Sequence, residues 1–262
     1  MKCRLCNEEH CELFYSQGNK NQFKYYRCPH CGLVNLDLST LSISESQKKY
    51  EKVDLVSIDY EKIKGPRQSY SFISKHVKTR GTLLDIGCGN GSLLYFARKD
   101  GWQIHGLDLS PVLAELVQKN LDIKVEVANF LEYENTIVQY DAVCLRHVLE
   151  HLPDSDLALS KISALLKKGG YLYMEFPNIN GFPHRLQRFR NKFPFLRKHY
   201  SADYEPAHCN EFSRKPFEYL LNKNGNFRLI EWTTYSSNSF SSFIYNYWHI
   251  GTKVRALMQK IN

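Results

Sequence analysis

The sequence predicts an α/β fold in which a doubly wound, mostly parallel seven-stranded sheet carries helices on both faces and follows a small N-terminal module. Three observations lead to this prediction. An apolar run at 83–86 passes through a glycine-rich turn directly into an amphipathic helix pattern. Further apolar runs then alternate with helical patterns, as in a sheet built from β-α-β units. At the N-terminus, two C-x-x-C pairs have the spacing of a metal-binding ribbon.

The length of 262 residues suits one full-size domain with a small appendage. We expect a ribbon over 1–37, a linker with the helices that lead into the main domain over 38–79, and the main domain over 80–262. Within the main domain, a basic and aromatic insertion is expected at 180–207.

The composition, with 43% hydrophobic and 24% charged residues, is that of a soluble globular protein. No apolar run has the length of a transmembrane helix, and the first residues lack the apolar stretch of a signal peptide. We therefore expect a cytoplasmic protein, in which the eight cysteines are thiols or metal ligands rather than disulfides. The net charge of +8 favours an anionic partner.

The cysteine pairs predict a structural zinc site. Each C-x-x-C forms a tight knuckle that presents two thiolates to one side, and two knuckles complete a tetrahedral site. Apolar runs at 14–15 and 23–26 predict a hairpin between the two cysteine pairs. His10 and Cys11, which lie in the same loop, are alternative ligands for the metal. Because so small a module buries little core, the metal would supply its folding free energy. The four expected ligands are Cys3, Cys6, Cys28 and Cys31.

The glycine-rich turn predicts a ligand site at the end of the first strand of the main domain. Gly87, Gly89 and Gly91 allow positive φ and the close approach of a ligand, and the following helix points its first amides at that ligand. The spacing G-x-G-x-G differs from the G-x-G-x-x-G of dinucleotide sites. Asp85 favours a ligand with a cationic amino-acid end. Asp108 ends the next strand, where a carboxylate accepts hydrogen bonds from ribose hydroxyls.

These segments resemble the class I S-adenosylmethionine-dependent methyltransferases, from about residue 82 to residue 178. LLDIGCGNG resembles the first motif of that family, and GLDLSP resembles its ribose-binding strand end. YDAVCLRHVLEHLPD and LLKKGGYLYMEFPN continue the resemblance, and PAHCNEFSRKPFEYLLNKNG extends it more loosely. The most similar members are the ubiquinone-biosynthesis-like group of small-molecule methyltransferases.

The resemblance implies an enzyme with S-adenosylmethionine as its cofactor. The glycine turn would bind the methionine end, and the ends of the second and third strands would bind the ribose and the adenine. Asn129 stands where family members often have an acid; its amide can still bond the adenine, and Phe130 would pack on the ring. The implied cofactor-binding residues are Asp85, Gly87, Cys88, Gly89, Gly91, Asp108, Leu109, Asn129, Phe130, Leu145 and Arg146.

Two histidines are candidates for catalysis. His147 follows the fourth strand, at the edge of the sheet where ligands bind, and it is either a base for a hydroxyl acceptor or a structural residue. His208 matches the histidine of the family pattern P-x-H-x-x-x-F-S and is a second candidate base or substrate ligand. The segment from His147 to His151 also fits the H-x-x-E-H zinc-protease motif. That motif needs a long helix, whereas here an apolar strand precedes it directly, so we expect Glu150 and His151 to brace the next helix.

The remaining elements are predicted from periodicity and from helix breakers. We expect four further helical segments. The first covers 46–77 and is broken at Gly65-Pro66, and the second covers 154–166 and is ended by Lys167-Lys168-Gly169-Gly170. The third runs from about 213 through 221, and the fourth is a basic helix over 252–261. Strands are expected at 125–130, 141–145, 171–176 and 227–235. The stretch 236–251 is open between a seventh strand and a helix.

The insertion at 182–200 combines six basic residues with aromatic and aliphatic ones and contains no acid. Such a surface suits a diphosphate head group, peripheral contact with a bilayer surface, or RNA. Alternatively, it is a lid whose aromatic side chains pack inward while its arginines are solvated.

The expected function is methylation of a small-molecule or carrier-linked anionic acceptor, of the sugar or secondary-metabolite type, on oxygen, nitrogen or carbon. A second hypothesis is an RNA methyltransferase of the ribosomal guanine type, since some of these join a zinc ribbon to this fold. A third is a non-catalytic scaffold that binds the cofactor and uses the ribbon for protein contacts.

Overall fold

The computed structural model describes residues 1–41, 58–134, 138–191, 193–196, 198–201, 204–236 and 250–262. These residues form two sheets, a four-stranded one near the N-terminus and a seven-stranded one in the main domain. The predicted α/β class is confirmed, and the larger sheet is mostly parallel.

The seven-stranded sheet has the strand order β10-β11-β8-β7-β4-β5-β6. Strands β4 to β8 pair in parallel, whereas β11 pairs antiparallel with β8 on one side and β10 on the other. Because β4 and β5 are neighbours, the ends of the first two strands of the main domain lie side by side. The strands are β4 (Thr82–Ile86), β5 (Gln103–Asp108), β6 (Val125–Val127), β7 (Tyr140–Arg146), β8 (Leu166–Pro177), β10 (Phe227–Tyr235) and β11 (Lys253–Lys260).

The described helices begin and end at residues that suit helix termini. Ser110 and Asp154 cap two of them by accepting hydrogen bonds from the amides of Leu113 and Leu157. Gly225 ends the last one with a φ of 73°. Among these helices, none is long and apolar enough to cross a membrane. They are α1 (Lys64–His76), α2 (Ser92–Lys99), α3 (Pro111–Leu121), α4 (Ser155–Leu165), α5 (Phe182–Arg190) and α6 (Arg214–Asn224).

The basic C-terminal segment is a strand, so the predicted helix over 252–261 is wrong. Strand β11 lies between β8 and β10, where its apolar side chains are covered from both faces. Val254, Ala256, Leu257 and Met258 are fully buried, and Val254 pairs with Phe176 in the register of β8. The pairing partners lie far away in the sequence, and they override the local helical pattern.

Two pairs of residues predicted to interrupt or end a helix, Gly65-Pro66 and Gly169-Gly170, have other roles in the structure. Gly65-Pro66 lies in the first turn of α1, where proline is tolerated, instead of interrupting a helix. Strand β8 begins directly after α4, so Gly169-Gly170 lies inside a strand. Gly169 has a φ of 79°, next to a shift in the β7–β8 register that indicates a bulge. The expected helix over 46–57 and most of the undecided stretch 236–251 lie outside the described residues.

The N-terminal module is a ribbon whose sheet is completed by the main domain. Its hairpin pairs β1 (Glu12–Gln17) with β2 (Phe23–Arg27), and β3 (Val34–Leu36) follows. The fourth strand, β9 (Asn210–Glu211), comes from the segment between α5 and α6 and pairs antiparallel with β3. The ribbon therefore continues into the main domain through backbone hydrogen bonds.

The ribbon also shares an apolar core with the main domain. Leu5 and Leu33 are fully buried in one cluster with Phe217 and Leu220 of α6. Lys223 Nζ donates a hydrogen bond to the Leu5 carbonyl at 3.0 Å. Such a module gains stability from this shared burial, because little of its surface is buried within itself.

Arg4 joins the ribbon to β9. Its guanidinium donates to the Asn210 side-chain oxygen at 3.0–3.1 Å, to the Leu36 carbonyl at 2.9 Å and to the Cys209 carbonyl. Its own backbone amide donates to Asn35 Oδ1 at 3.1 Å. One side chain of the first cysteine knuckle thus satisfies carbonyl groups on both β3 and the segment entering β9.

We expect Arg4→Ala to lower the free energy of unfolding by about 1–3 kcal/mol, because it removes the guanidinium donor from the Leu36 carbonyl and the Asn210 side-chain oxygen and one of the two donors from the Cys209 carbonyl. The measurement is urea denaturation. Lys2→Ala, which removes an exposed ion pair with Glu9, serves as the control and should change stability by less than about 0.5 kcal/mol. Equal effects of the two substitutions would contradict this role of Arg4.

Candidate active site

The glycine turn folds over the end of β5 and leaves open backbone in front of it. The amides of Gly87 and Cys88 donate to the Leu107 carbonyl at 2.7 and 3.2 Å. Gly87 has a φ of 67°, and a Cβ there would lie 2.4 Å from a methyl of Val148. Gly89 also has a positive φ, but no atom of the described residues lies within 4 Å of a Cβ built there. The turn is therefore closed on the protein side and open to a ligand at Gly89.

Two carboxylates flank this opening, as the sequence predicts. Asp85 is 2% exposed, and its Oδ1 atom has no hydrogen-bond partner in the described part of the chain. Burial raises the pKa of Asp85 to about 7, and the nearby Arg146 acts in the opposite direction. The Asp108 carboxylate accepts from the amides of Gly89 and Ser110 at 2.8 and 2.9 Å. An unpaired buried carboxylate oxygen beside an open glycine backbone fits a ligand that carries an ammonium group.

The other predicted cofactor residues fall into two groups. Leu109 and Asn129 are exposed, and the Asn129 side chain bonds locally to the Leu131 amide and to Glu132. Phe130 and Leu145 are buried in the apolar core, and Cys88 is buried beneath the turn. The Phe130 ring thus belongs to the core and offers little surface to a ligand.

Glu175 is the residue of this region that sequence reasoning missed. It is 1% exposed, lies near the end of β8, and accepts hydrogen bonds from Ser69, Tyr173 and Tyr235. Arg146 and Arg255 lie 3.6 and 3.5 Å from its oxygens. Burial alone would raise the pKa of Glu175, but these donors and His147 hold it well below its usual range. The sequence feature that could have identified Glu175 is its position as the one acidic residue in the apolar run YLYMEF, at the end of a central strand.

His147 lies between two carboxylates at the end of β7. Its Nδ1 is 3.2 Å from Glu150 Oε1, and its Nε2 is 3.4 Å from Glu175 Oε1 and 3.3 Å from Lys253 Nζ. Its φ of 56° turns the chain sharply after the strand. Burial disfavours the charged imidazolium, but the two carboxylates outweigh it, so the pKa of His147 is raised. This histidine takes up a proton more readily than an ordinary one.

His208 lies beside Glu150 and His151, although it belongs to a distant segment. The candidate ligand atoms of these three residues lie within 4.8 Å of one another. Burial lowers the pKa of His208 to about 4, so its ring is neutral at neutral pH. Glu150 and His151 form a short 3-10 helix that starts at Leu149, which differs from the long helix of H-x-x-E-H zinc proteases.

A cavity of about 320 Å³ opens next to His208, between the ribbon hairpin and the insertion. Tyr15 and Tyr25 of the ribbon form one wall, and His184 and Arg188 of α5 form another. Glu211 of β9 lies at this cavity and accepts a hydrogen bond from the Tyr15 hydroxyl at 2.6 Å. The ribbon thus contributes side chains to the space next to His208.

The insertion covers the cavity with one side and exposes aromatic groups on the other. Phe182, Phe189 and Phe193 are exposed, and Phe195 is 82% exposed. The alternative in which all of its aromatic side chains pack inward is therefore wrong for these residues. Arg188 instead faces inward: it donates to the Ile179 carbonyl at 2.7 Å and lies over the Phe14 ring.

The four cysteines of the two C-x-x-C pairs form one cluster. The Sγ atoms of Cys3 and Cys31 are 3.5 Å apart, those of Cys6 and Cys28 are 3.4 Å apart, and all four lie within 4.8 Å of one another. Tetrahedral zinc with Zn–S bonds of about 2.3 Å places its sulfurs about 3.8 Å apart, so the donor set fits that ion. The two knuckles match in backbone conformation, since Asn7 and Gly32 follow their second cysteines with φ values of 62° and 83°. His10 is exposed, and Cys11 lies outside the four-sulfur group.

Comparisons with known proteins agree with this geometry. The family described as "Methyltransferase domain" matches residues 58–231. A ubiquinone biosynthesis O-methyltransferase of Coxiella burnetii is 28% identical over 115 residues, which are 42% of this chain and 49% of that protein. The chain therefore matches about half the length of that relative.

Two solved structures have the same fold. A protein of Listeria monocytogenes, described as a putative S-adenosylmethionine-dependent methyltransferase, superposes with a TM-score of 0.59 at 15% identity, covering 75% of this chain and 99% of that one. Magnesium protoporphyrin IX methyltransferase of Synechocystis, solved with bound S-adenosylhomocysteine, gives 0.55 at 16% identity, covering 82% and 93%. The chain belongs to the methyltransferase domain family and has the fold of the class I S-adenosylmethionine-dependent methyltransferases.

Proposed function

We propose that this protein transfers the methyl group of S-adenosylmethionine to a small-molecule or carrier-linked acceptor. The observation that carries the proposal is the open glycine turn flanked by Asp85 and Asp108, at the ends of adjacent parallel strands. His147 at the end of β7 contacts Glu150 of the histidine cluster, and His208 of that cluster lines the cavity. Cofactor and acceptor would thus meet at the carboxyl ends of β4, β5, β7 and β8.

The bound cofactor would supply a methyl group that its sulfonium already activates, so the chain mainly has to position it. Asp85 would pair with the ammonium of the methionine end, and Arg146 with its carboxylate. The Asp108 carboxylate already accepts hydrogen bonds from the amides of Gly89 and Ser110. Its remaining lone pairs would accept hydrogen bonds from the ribose hydroxyls. Leu109 and Asn129 would border the adenine, which leaves Phe130 a supporting role in the core.

For a hydroxyl acceptor, His147 is the residue we assign as proton acceptor. Glu150 and Glu175 stabilise its imidazolium, so a proton that leaves the acceptor would be held there. His208 is the weaker base of the two, because burial keeps its ring neutral. It serves better as a ligand to the acceptor than as a base.

The insertion supports a carrier-linked acceptor over a freely diffusing one. Arg188 of the insertion lines the cavity, and the phenylalanines are exposed on the insertion's other side. Together they suit an anionic head group on an apolar carrier. RNA remains the competing acceptor, since the same charges would contact phosphates.

The Cys3, Cys6, Cys28 and Cys31 cluster would hold one structural zinc ion. Four thiolates complete a tetrahedral shell and leave no position for a substrate. The ion would hold the two knuckles together and thereby keep Arg4 and β3 in place against β9.

We expect the affinity for S-adenosylhomocysteine to fall about tenfold between pH 8 and pH 6, because Asp85 must lose its proton to pair with the ligand's ammonium. The sign follows from the pKa of about 7, since protonation below that pH removes the negative charge. Isothermal titration calorimetry measures it. Asp85→Asn should bind more weakly and with a flat pH profile. A flat profile in the unchanged protein would contradict the assignment of Asp85.

Metal analysis of the purified protein should find one zinc per chain. The Cys28→Ser variant should lose this zinc, because three thiolates leave its tetrahedral coordination shell incomplete. Cys11→Ser is the matched control and should retain the metal, since Cys11 lies outside the four-sulfur group. A folded protein free of metal would refute the site.

The methyl-transfer activity is tested with labelled S-adenosylmethionine and a fractionated cell extract. We expect label in the small-molecule or lipid-linked fraction, and Asp108→Ala should abolish it. Label in RNA would establish the competing acceptor. No transfer to any fraction, with the cofactor bound, would favour the non-catalytic scaffold.

A further inference from the structure

A second cluster of potential metal ligands lies apart from the cysteine knuckles. It combines one carboxylate and two imidazoles, from Glu150, His151 and His208, and one potential ligand atom of each residue lies within 4.8 Å of those of the other two. We propose that these three residues bind a divalent transition-metal ion and that this ion holds an oxygen of the methyl acceptor. The second part of the proposal rests on the proposed function, whereas the metal site does not.

Glu150 provides the first argument. Its side chain is among the most buried charged groups, at 1% exposure, and its Oε2 atom has no hydrogen-bond partner within the described ranges. Its other oxygen, Oε1, is 3.2 Å from His147 Nδ1. A buried carboxylate oxygen without a donor is strongly unfavourable, and a bound cation would satisfy it.

His151 is oriented as a metal ligand usually is. Its Nδ1 lies 2.8 Å from the Ala207 carbonyl, which requires a proton on Nδ1 and leaves the lone pair on Nε2. Ligating histidines commonly donate their second ring nitrogen to a backbone carbonyl in this way, which fixes the tautomer. The His208 ring lies 5.0 Å from that of His151, with the two planes 74° apart.

The backbone holds the two contributing segments together without the ion. The Cys209 amide donates to the Glu150 carbonyl at 3.0 Å, and Asn210 Nδ2 donates to the Leu152 carbonyl at 2.7 Å. His208 directly precedes these residues, so it is fixed beside the 3-10 helix that carries Glu150 and His151. The ligands are therefore arranged in advance, which lowers the conformational entropy lost on binding.

The donor set selects the class of ion. Two imidazoles with one carboxylate suit divalent manganese, iron or cobalt and leave coordination positions open. The ribbon offers only thiolates, which prefer zinc. His208 also lines the cavity, so an acceptor in the cavity lies next to the ion. A metal-bound hydroxyl loses its proton more easily, which suits the neighbouring His147.

The test uses Mn²⁺ as the probe on the full chain with its zinc retained, because Mn²⁺ competes poorly for thiolates. Electron paramagnetic resonance of free Mn²⁺ gives the bound fraction. We expect one Mn²⁺ per chain, and Glu150→Gln, His151→Ala and His208→Ala should each weaken it at least tenfold. His199→Ala, which removes an exposed imidazole, is the matched control and should leave binding unchanged.

Absence of Mn²⁺ binding, or affinities unchanged in all three variants, would overturn the proposal. Circular dichroism shows whether each variant is folded, and the use of three independent variants ensures that the misfolding of one does not decide the result. S-adenosylhomocysteine binding on the same samples reports separately on the proposed function, because none of the three residues belongs to the glycine turn. Retained cofactor binding with no Mn²⁺ site would therefore reject this inference alone.

Discussion

The pairing of β3 with β9 is the constraint on which the geometry of the candidate active site depends. The Leu36 amide donates to the Cys209 carbonyl at 2.9 Å, and Arg4 donates to the same carbonyl from the first cysteine knuckle. Since His208 is the residue before Cys209, these bonds hold its backbone from the ribbon side, and the bond of the Cys209 amide to the Glu150 carbonyl holds it from the main-domain side. The ribbon thus acts on the site through the backbone, and it also supplies one wall of the adjoining cavity.

A line of charged side chains leads from the glycine turn to the cluster of Glu150, His151 and His208. It runs from Asp85 through Arg146 and Glu175 to His147 and then to Glu150. Burying these groups separately would be strongly unfavourable, and Arg146 and His147 partly compensate the carboxylates beside them. Asp85 Oδ1 and Glu150 Oε2, at the two ends of the line, have no hydrogen-bond partner among the described residues.

Local patterns account for what sequence analysis predicted well. The strand, glycine turn and helix from Leu83 onward, the paired cysteines and strand β10 all depend on neighbouring residues, and the structure has them where expected. The failures are non-local. Strand β11 is formed by partners on both sides, and Glu175 matters only because Ser69, Tyr235 and Arg255 reach it from distant segments. The junction of ribbon and main domain has no sequence signal either, because β9 contains two residues.

The central claim, that the ribbon positions His208, is tested most directly by amide hydrogen exchange in Cys28→Ser and in the unchanged protein. Loss of the knuckle should expose the Leu36 amide, which bonds to the Cys209 carbonyl and so joins the ribbon to the site. Release of that segment should then expose the Cys209 amide, which bonds to the Glu150 carbonyl, while the Gly87 amide at the cofactor turn stays protected. Unchanged protection of Cys209 in the variant would contradict the account. So would equal loss at all three amides, since that would indicate global unfolding instead of a local release.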